Sequence, residues 1–329
     1  MKFWLTLASV LVILGLILFI GVMAENGWDF SKLAMVKYES VTKEIDESFI
    51  GIYIEGDTED VRILPSEDGK CRIEFYEADD ERHSVEIKDG ILTVSKKRNV
   101  KWYSRLFCFQ RAKITLYLPS DMYESLTVDI ATGDVDIKVG EKEKTGCVQI
   151  GGDTYFNNIK INVTTGDIYC SAYSLGNLEI TATTGNVAVE KSRAKTLDIT
   201  LTTGNASLNE VMYTEDVFID RTTGDVKIKY SECRSLTLTG TTGKTEINGS
   251  YVHGRFESVC TTGNTYVSHF DASEIKIEST TGDVTASFYT EKIVYATATT
   301  GKIDVPKSTS GGLCEITTTT GDITVTIEE

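Results

Sequence analysis

The side chains able to do chemistry are few and scattered. His83, His253 and His269 are the only histidines in 329 residues, and none sits at a spacing that suggests a metal pair or a nucleophile with its base. Seven cysteines (Cys71, Cys108, Cys147, Cys170, Cys233, Cys260 and Cys314) include no C-x-x-C pair, which argues against a zinc ribbon. Their odd number, and the apolar positions of Cys170 and Cys314, point to buried thiols rather than a disulfide frame. Carboxylates vary along the chain without a local cluster. The expectation is therefore a protein without catalytic residues, metal or cofactor, and a glycan-cleaving enzyme is the weaker alternative.

One stretch breaks the charge pattern. The chain carries a formal net charge of −16, yet Lys96 to Lys113 holds seven cations and no acid, interleaved with aromatics. Lys96, Lys97, Arg98, Lys101, Trp102, Tyr103, Arg105 and Phe107 form the candidate surface-binding set. Cations attract an anionic surface and aromatics suit its interface, so an anionic cell-wall polymer, lipid headgroups or an envelope protein are the candidate partners. The bland reading is a solvated loop whose aromatics cover the neighbouring core. The acidity of the rest argues against nucleic acid as a partner.

A second row of polar residues is periodic. Nine Thr-Thr-Gly triplets, preceded by Ala131-Thr132-Gly133, are followed in turn by Asp134, Asp167, Asn186, Asn205, Asp225, Lys244, Asn264, Asp283, Lys302 and Asp322. A calcium ladder would need acids at every step, and Lys244 and Lys302 oppose it. Turn chemistry explains the row more simply, with each Asp or Asn bonding its own backbone. If the strand stays extended into the turn, the Thr next to Gly points inward. The preceding ones (Thr164, Thr183, Thr202, Thr222, Thr241, Thr261, Thr280, Thr299 and Thr319) then form an outward strip, able in principle to meet ice, a glycan or another protein.

The elements that carry these rows follow from the spacing. Gly133, Gly166, Gly185, Gly204, Gly224, Gly243, Gly263, Gly282, Gly301 and Gly321 recur every 19 or 20 residues after a first gap of 33, in which Gly152-Asp153 reads as a degenerate, shortened coil. Apolar residues recur seven and five places before the glycines and two and four after them, as at Leu126, Val128, Val135 and Ile137. Period-two alternation on both sides of a turn predicts two short strands per repeat, with glycine supplying a positive φ at the corner. Coils stacking in parallel at about 4.8 Å per step give a rod of roughly 50 Å. The expected fold is thus all-β, a parallel β-solenoid (β-helix) of about ten 19-20-residue coils over residues 121–329. An N-terminal β cap spans residues 49–120.

Within the cap, strands are expected at Phe49 to Glu55, Val61 to Leu64, Cys71 to Tyr76, Ser84 to Ile87, Ile91 to Val94 and Lys113 to Leu118, with a hairpin at Asp89-Gly90. Residues 25–48 read as a linker. Phe3 to Ala24 is 22 residues without a charge, long enough to cross a bilayer core of about 30 Å. Residues 1–24 read as a transmembrane anchor, and a cleaved signal peptide is the rival, since Val22-Met23-Ala24 resembles a cleavage site. Lys2 precedes the span while Glu25 and Asp29 follow it, which places the N-terminus in the cytoplasm and the body outside. Glu328-Glu329 are expected to guard the far end of the stack against end-to-end pairing.

An apolar N-terminal segment, a β-rich region ending at Tyr117-Leu118-Pro119, and repeats such as Ile161-Asn162-Val163-Thr164-Thr165-Gly166-Asp167-Ile168 resemble a bacterial β-strand repeat family of putative adhesins, a domain of unknown function with T-T-G-D repeats. The resemblance covers about Phe49 to the C-terminus. It implies a β-solenoid outside the cell that binds or scaffolds at the envelope. Some relatives are associated with cell-envelope stress systems, so a regulatory or sensing role is the alternative. Ala131, the short coil at Gly152, Lys244 and Lys302 depart from the family pattern.

Overall fold

The computed structural model describes residues 2–28, 37–79, 81–96, 110–139 and 154–328. One helix, Lys2–Glu25, is long and apolar enough to cross a membrane and is exposed from Phe3 to Val22, with Met23 buried. All other regular structure is β, wound in a β-helix-like stack.

Levels in the middle of the stack carry one long strand before the Thr-Gly turn, such as Thr196–Thr203, and a four-residue strand after it, such as Ala206–Asn209. The register is parallel and in step, so that Leu178, Leu197, Val217 and Leu236 stack in one buried column. Apolar side chains at alternate positions fill the interior because neither face of a single turn could bury them alone. Two strands per repeat were expected, but the levels from Tyr173 to Cys233 carry a third. Tyr173–Ser174, Arg193–Ala194, Met212–Tyr213 and Glu232–Cys233 are two-residue strands, too short to print a period of two on the sequence. A left-handed residue precedes three of these strands, at Lys191 (φ 46°), Glu210 (φ 55°) and Tyr230 (φ 50°), and recurs within the next two long strands at Gly249 (φ 63°) and His269 (φ 48°).

Both ends depart from the order of the chain. Gly51–Gly56 and Glu59–Pro65 pair in parallel with Met122–Thr132 and Val135–Lys138, and Ile91–Lys96 and Ala112–Leu118 stack beneath them. The region expected as a separate cap therefore supplies two levels of the stack itself. The end is closed by antiparallel strands: His83–Lys88 beside Ile91–Lys96, and Cys71–Ala78 beside Ala112–Leu118. Tyr38–Ile45 lies within the stretch expected as a linker and pairs with Cys71–Ala78, alternating half-buried and exposed residues as an edge strand does.

At the other end Gly312–Thr320 inserts between Thr265–Thr281 and Lys292–Thr300, so the last level is Lys292–Asp304 and not the C-terminal strand. Glu328 consequently does not guard the end. Its carboxylate accepts from the Ser287 hydroxyl at 2.5 Å and the His269 amide at 3.2 Å. Glu329 and the coil expected at Gly152-Asp153 lie outside the described residues.

Candidate functional site

The Thr-Gly-Asx corner runs along the stack as three parallel ladders. The glycine amides form the first: Gly185 donates to the Thr203 carbonyl at 3.0 Å and Gly204 to that of Thr223 at 3.0 Å. Glycine is required by more than its φ of 138–151°. A Cβ built at Gly204 would lie 1.7 Å from the Gly185 carbonyl oxygen, so the next turn's backbone takes the place of a side chain.

The Asx side chains form the second ladder, and here the expected local turn bond is replaced. Each Oδ1 accepts from the backbone amide of the Asx residue one level on: Asp134 from Asp167 (2.9 Å), Asp167 from Asn186 (2.7 Å), Asn186 from Asn205 (3.1 Å) and Asn205 from Asp225 (2.8 Å). The register of the stack brings that amide within reach, which a single turn could not reveal. Asp60 starts the ladder by accepting from the Asp134 amide at 3.2 Å. The two lysines also find their reason. Lys302 lies on the terminal level, where it donates its amide to Asp322 at 2.7 Å and no further level needs an acceptor. Lys244 interrupts the ladder, and its ammonium instead pairs with Glu246 at 3.1 Å and sits over the Tyr266 ring at 4.5 Å.

The threonines form the third ladder. The residue next to glycine was expected inside, but both members of every Thr-Thr pair are exposed. The inward position is one residue earlier, occupied by Val163, Ala182, Leu201, Arg221, Gly240 and Cys260. The extended alternation stops there because the backbone bends into the glycine corner, and the strip is two threonines wide.

At the first levels this corner changes character. Glu59 stands where other levels carry the turn glycine, below Gly133, and its side chain is buried. Around it the ends of four segments meet. The Lys96 ammonium lies 2.8 Å from Glu59 and 2.5 Å from Glu81, and His83 Nδ1 lies 2.7 Å from Glu77 with Nε2 at 3.6 Å from Glu59. The His83 ring stacks on Phe75 at 5.1 Å. Burial alone would raise the Glu59 carboxyl. The His83 and Lys96 side chains and the Thr58 amide outweigh that and hold it at about 2. Burial pulls the Lys96 ammonium down, but its two carboxylates win and raise it above the ordinary lysine value. No sequence signal announced this cluster, since its members are spread over 38 positions and each looks like an ordinary strand-end charge.

Lys96 therefore leaves the expected surface-binding set: its side chain is 8% exposed and held by two acids. Lys97, Arg98, Lys101, Trp102, Tyr103, Arg105 and Phe107 lie outside the described residues. Arg111 approaches Asp60 at 3.6 Å.

Cys71, Cys170, Cys233, Cys260 and Cys314 are buried and free, as expected of apolar thiols; Cys108 and Cys147 lie outside the described residues. Burial pushes the Cys71 thiol up to about 11 and those of Cys170, Cys233 and Cys314 up to about 12, which leaves them protonated and unreactive at neutral pH. Among the described residues no group of three or more His, Cys, Asp or Glu is placed to hold a metal ion. His253 bonds Glu232 at 2.6 Å and His269 lies 3.8 Å from Glu328, both on the surface.

A parallel, glycine-cornered β-helix-like body behind one apolar helix defines the class. The Toastrack DUF4097 family profile matches residues 50–248 and 210–329, and the chain belongs to that family. A solved structure of a putative adhesin from Parabacteroides distasonis is 12% identical, with 88% of this chain and 98% of that one covered at a TM-score of 0.51. A putative adhesin from Parabacteroides merdae is 14% identical over 87% and 96% of the two chains, at 0.49. A putative lipid binding protein from Parabacteroides distasonis is 16% identical over 76% and 93%, at 0.44. At 12% identity the first of these likenesses speaks for the fold alone. No functionally curated protein matches the chain by sequence.

Proposed function

We propose that this chain is a non-catalytic, membrane-anchored β-solenoid of about ten 19-20-residue coils that binds or scaffolds at the outer side of the cell membrane. The observation that carries the reading is the Lys2–Glu25 helix, apolar and exposed from Phe3 to Val22, ahead of a body many of whose outward polar groups are tied level to level. Lys160 with Glu179, Lys276 with Glu257 and the Asx ladder stiffen the surface. Membership of a family whose solved neighbours include proteins named putative adhesins supports binding over chemistry. Lys97, Arg98, Lys101 and Arg105 would supply the contact with an anionic wall polymer or lipid headgroups.

Fractionation of cells producing the full chain, followed by protease treatment of intact spheroplasts, tests the topology. The full chain should stay with the membrane and lose its body to external protease. A soluble chain, or a body protected until the membrane is opened, overturns the reading. Retention on purified cell wall or anionic vesicles at low salt, lost when the four cations are replaced by serine, is expected for the contact.

A further inference from the structure

The outer face of the first levels differs from the rest of the stack. Along most of it, outward polar side chains bond to those one level on, as Thr196 does to Asn177 at 2.8 Å and Ser235 to Asp216 at 2.5 Å. Where Ile91–Lys96, Gly51–Gly56 and Met122–Thr132 lie side by side, a groove of about 370 Å³ opens instead, within the range of about 300 to 1,000 Å³ typical of ligand sites. At its edge Ser125 and Ile91 close over Gly51, where an added Cβ would lie 3.0 Å from Ser125 Oγ and 3.4 Å from Ile91 Cγ1.

The register puts Tyr53 between Thr93 and Thr127 on this face, with Ser125 and Ile91 flanking Gly51 and Lys88 and Asp89 at the hairpin rim. None of the polar side chains of Tyr53, Lys88, Asp89, Thr93, Ser125 or Thr127 makes a hydrogen bond or ion pair within the protein. Six polar side chains thus surround one concavity with their bonding capacity unused, around an aromatic ring. Burial, with the Glu55 and Asp129 carboxylates nearby, holds the Tyr53 phenol above its ordinary value, so it remains a neutral donor and acceptor.

We infer that this groove binds a neutral glycan, with a pyranose ring against Tyr53 and its hydroxyls bonded by Ser125, Thr93 and Thr127. An aromatic face suits the C–H face of a sugar, and hydroxyl side chains can donate or accept as the sugar requires. Lys88 and Asp89 balance each other, which separates this ligand from the anionic surfaces suited to residues 97–105. The inference rests on the extracytoplasmic reading above and names the ligand class that reading lacks.

The test is saturation-transfer NMR on the full chain in a sugar-free detergent, titrated with chitotriose and with cellotriose. Variants are Tyr53→Ala, Thr127→Val, and Thr181→Val as a control on the same face several levels away. Saturable binding is expected, weakened at least about tenfold by Tyr53→Ala and Thr127→Val and unchanged by Thr181→Val. Preference for chitotriose identifies an acetamido wall glycan and preference for cellotriose a plain glucan; either supports the site. No saturable binding by the unsubstituted chain, or undiminished binding by both variants, overturns it. Retention at the membrane and on wall material is read separately, so a failure here leaves the topology result standing.

Discussion

The guanidinium of Arg221 fills the space that a side chain at Gly240 would need. A Cβ at Gly240 would stand 3.0 Å from both Cζ and Nη1 of Arg221. Arg221 sits in an inward column between Leu201 and Gly240 and is 2% exposed. It survives there because its Nε donates to the Gly224 carbonyl at 2.8 Å and its Nη2 to Thr245 Oγ1 at 2.9 Å, so the buried charge is tied to the corner carbonyls.

This pairing predicts strong coupling. Gly240→Leu and Arg221→Leu should each destabilise, the first by overpacking and the second by stranding corner carbonyls beside a void. The double variant restores the leucine that Leu201 already places in this column. It should recover about 1 to 3 kcal/mol relative to the sum of the singles in a urea-denaturation cycle. Additive losses would show that the two residues are not complementary.

The turn glycines and the Asx ladder should respond on different scales. Gly204→Ala drives a methyl into the Gly185 carbonyl and should cost at least about 3 kcal/mol by chemical denaturation. Asn186→Ala removes one acceptor from the Asn205 amide and should cost about 1 kcal/mol. Lys302→Ala, on the terminal level, should cost nothing measurable, and a loss matching that of Asn186→Ala would contradict the ladder.

The cluster beneath Gly133 predicts both a mutational and a pH response. Lys96→Met leaves Glu59 and Glu81 buried without their counter-ion and should lower stability by about 3 to 5 kcal/mol. Glu59 is held down at about 2, so its contribution is complete above the ordinary glutamate range and is lost as pH falls toward 2. The raised Lys96 acts oppositely, contributing fully below the ordinary lysine value and losing its effect as pH rises past its own. Thermal melts across pH should therefore show an acid limb that Glu59→Gln flattens; an unchanged limb in that variant would place the acid sensitivity elsewhere.

Thiol accessibility offers a check on the core. In a chain carrying Cys108→Ser and Cys147→Ser, the five remaining buried thiols should resist iodoacetamide at pH 8 until denaturant is added. Labelling of Cys170 or Cys314 in the folded state would mean that the stack opens locally.

Much of this architecture was legible because a 19- or 20-residue period survives in the residue types themselves. Thr-Thr-Gly marks a corner whose backbone only glycine tolerates, and Leu197, Ile199 and Leu208 mark strands whose alternate faces are buried. The third strand of the levels from Tyr173 to Cys233 escaped notice because a piece such as Arg193–Ala194 is too short to show alternation. Its left-handed corner escaped because Lys191, Glu210, Tyr230 and His269 are not the residue types that usually signal such a turn.

The sequence by itself determined the all-β body, the turn period, the thiols' apolar setting and the apolar N-terminal helix, since each depends on local pattern and composition. Tertiary structure decided which level lies next to which. It inserted Gly312–Thr320 before the terminal level, sent the Asx bonds to the neighbouring turn, buried Lys96 between Glu59 and Glu81, and opened the groove beside Tyr53. The physical reason is common to all four. They depend on contacts between residues about 15 to 75 positions apart, where the register of stacked backbones, and not the preference of any segment, sets the distance.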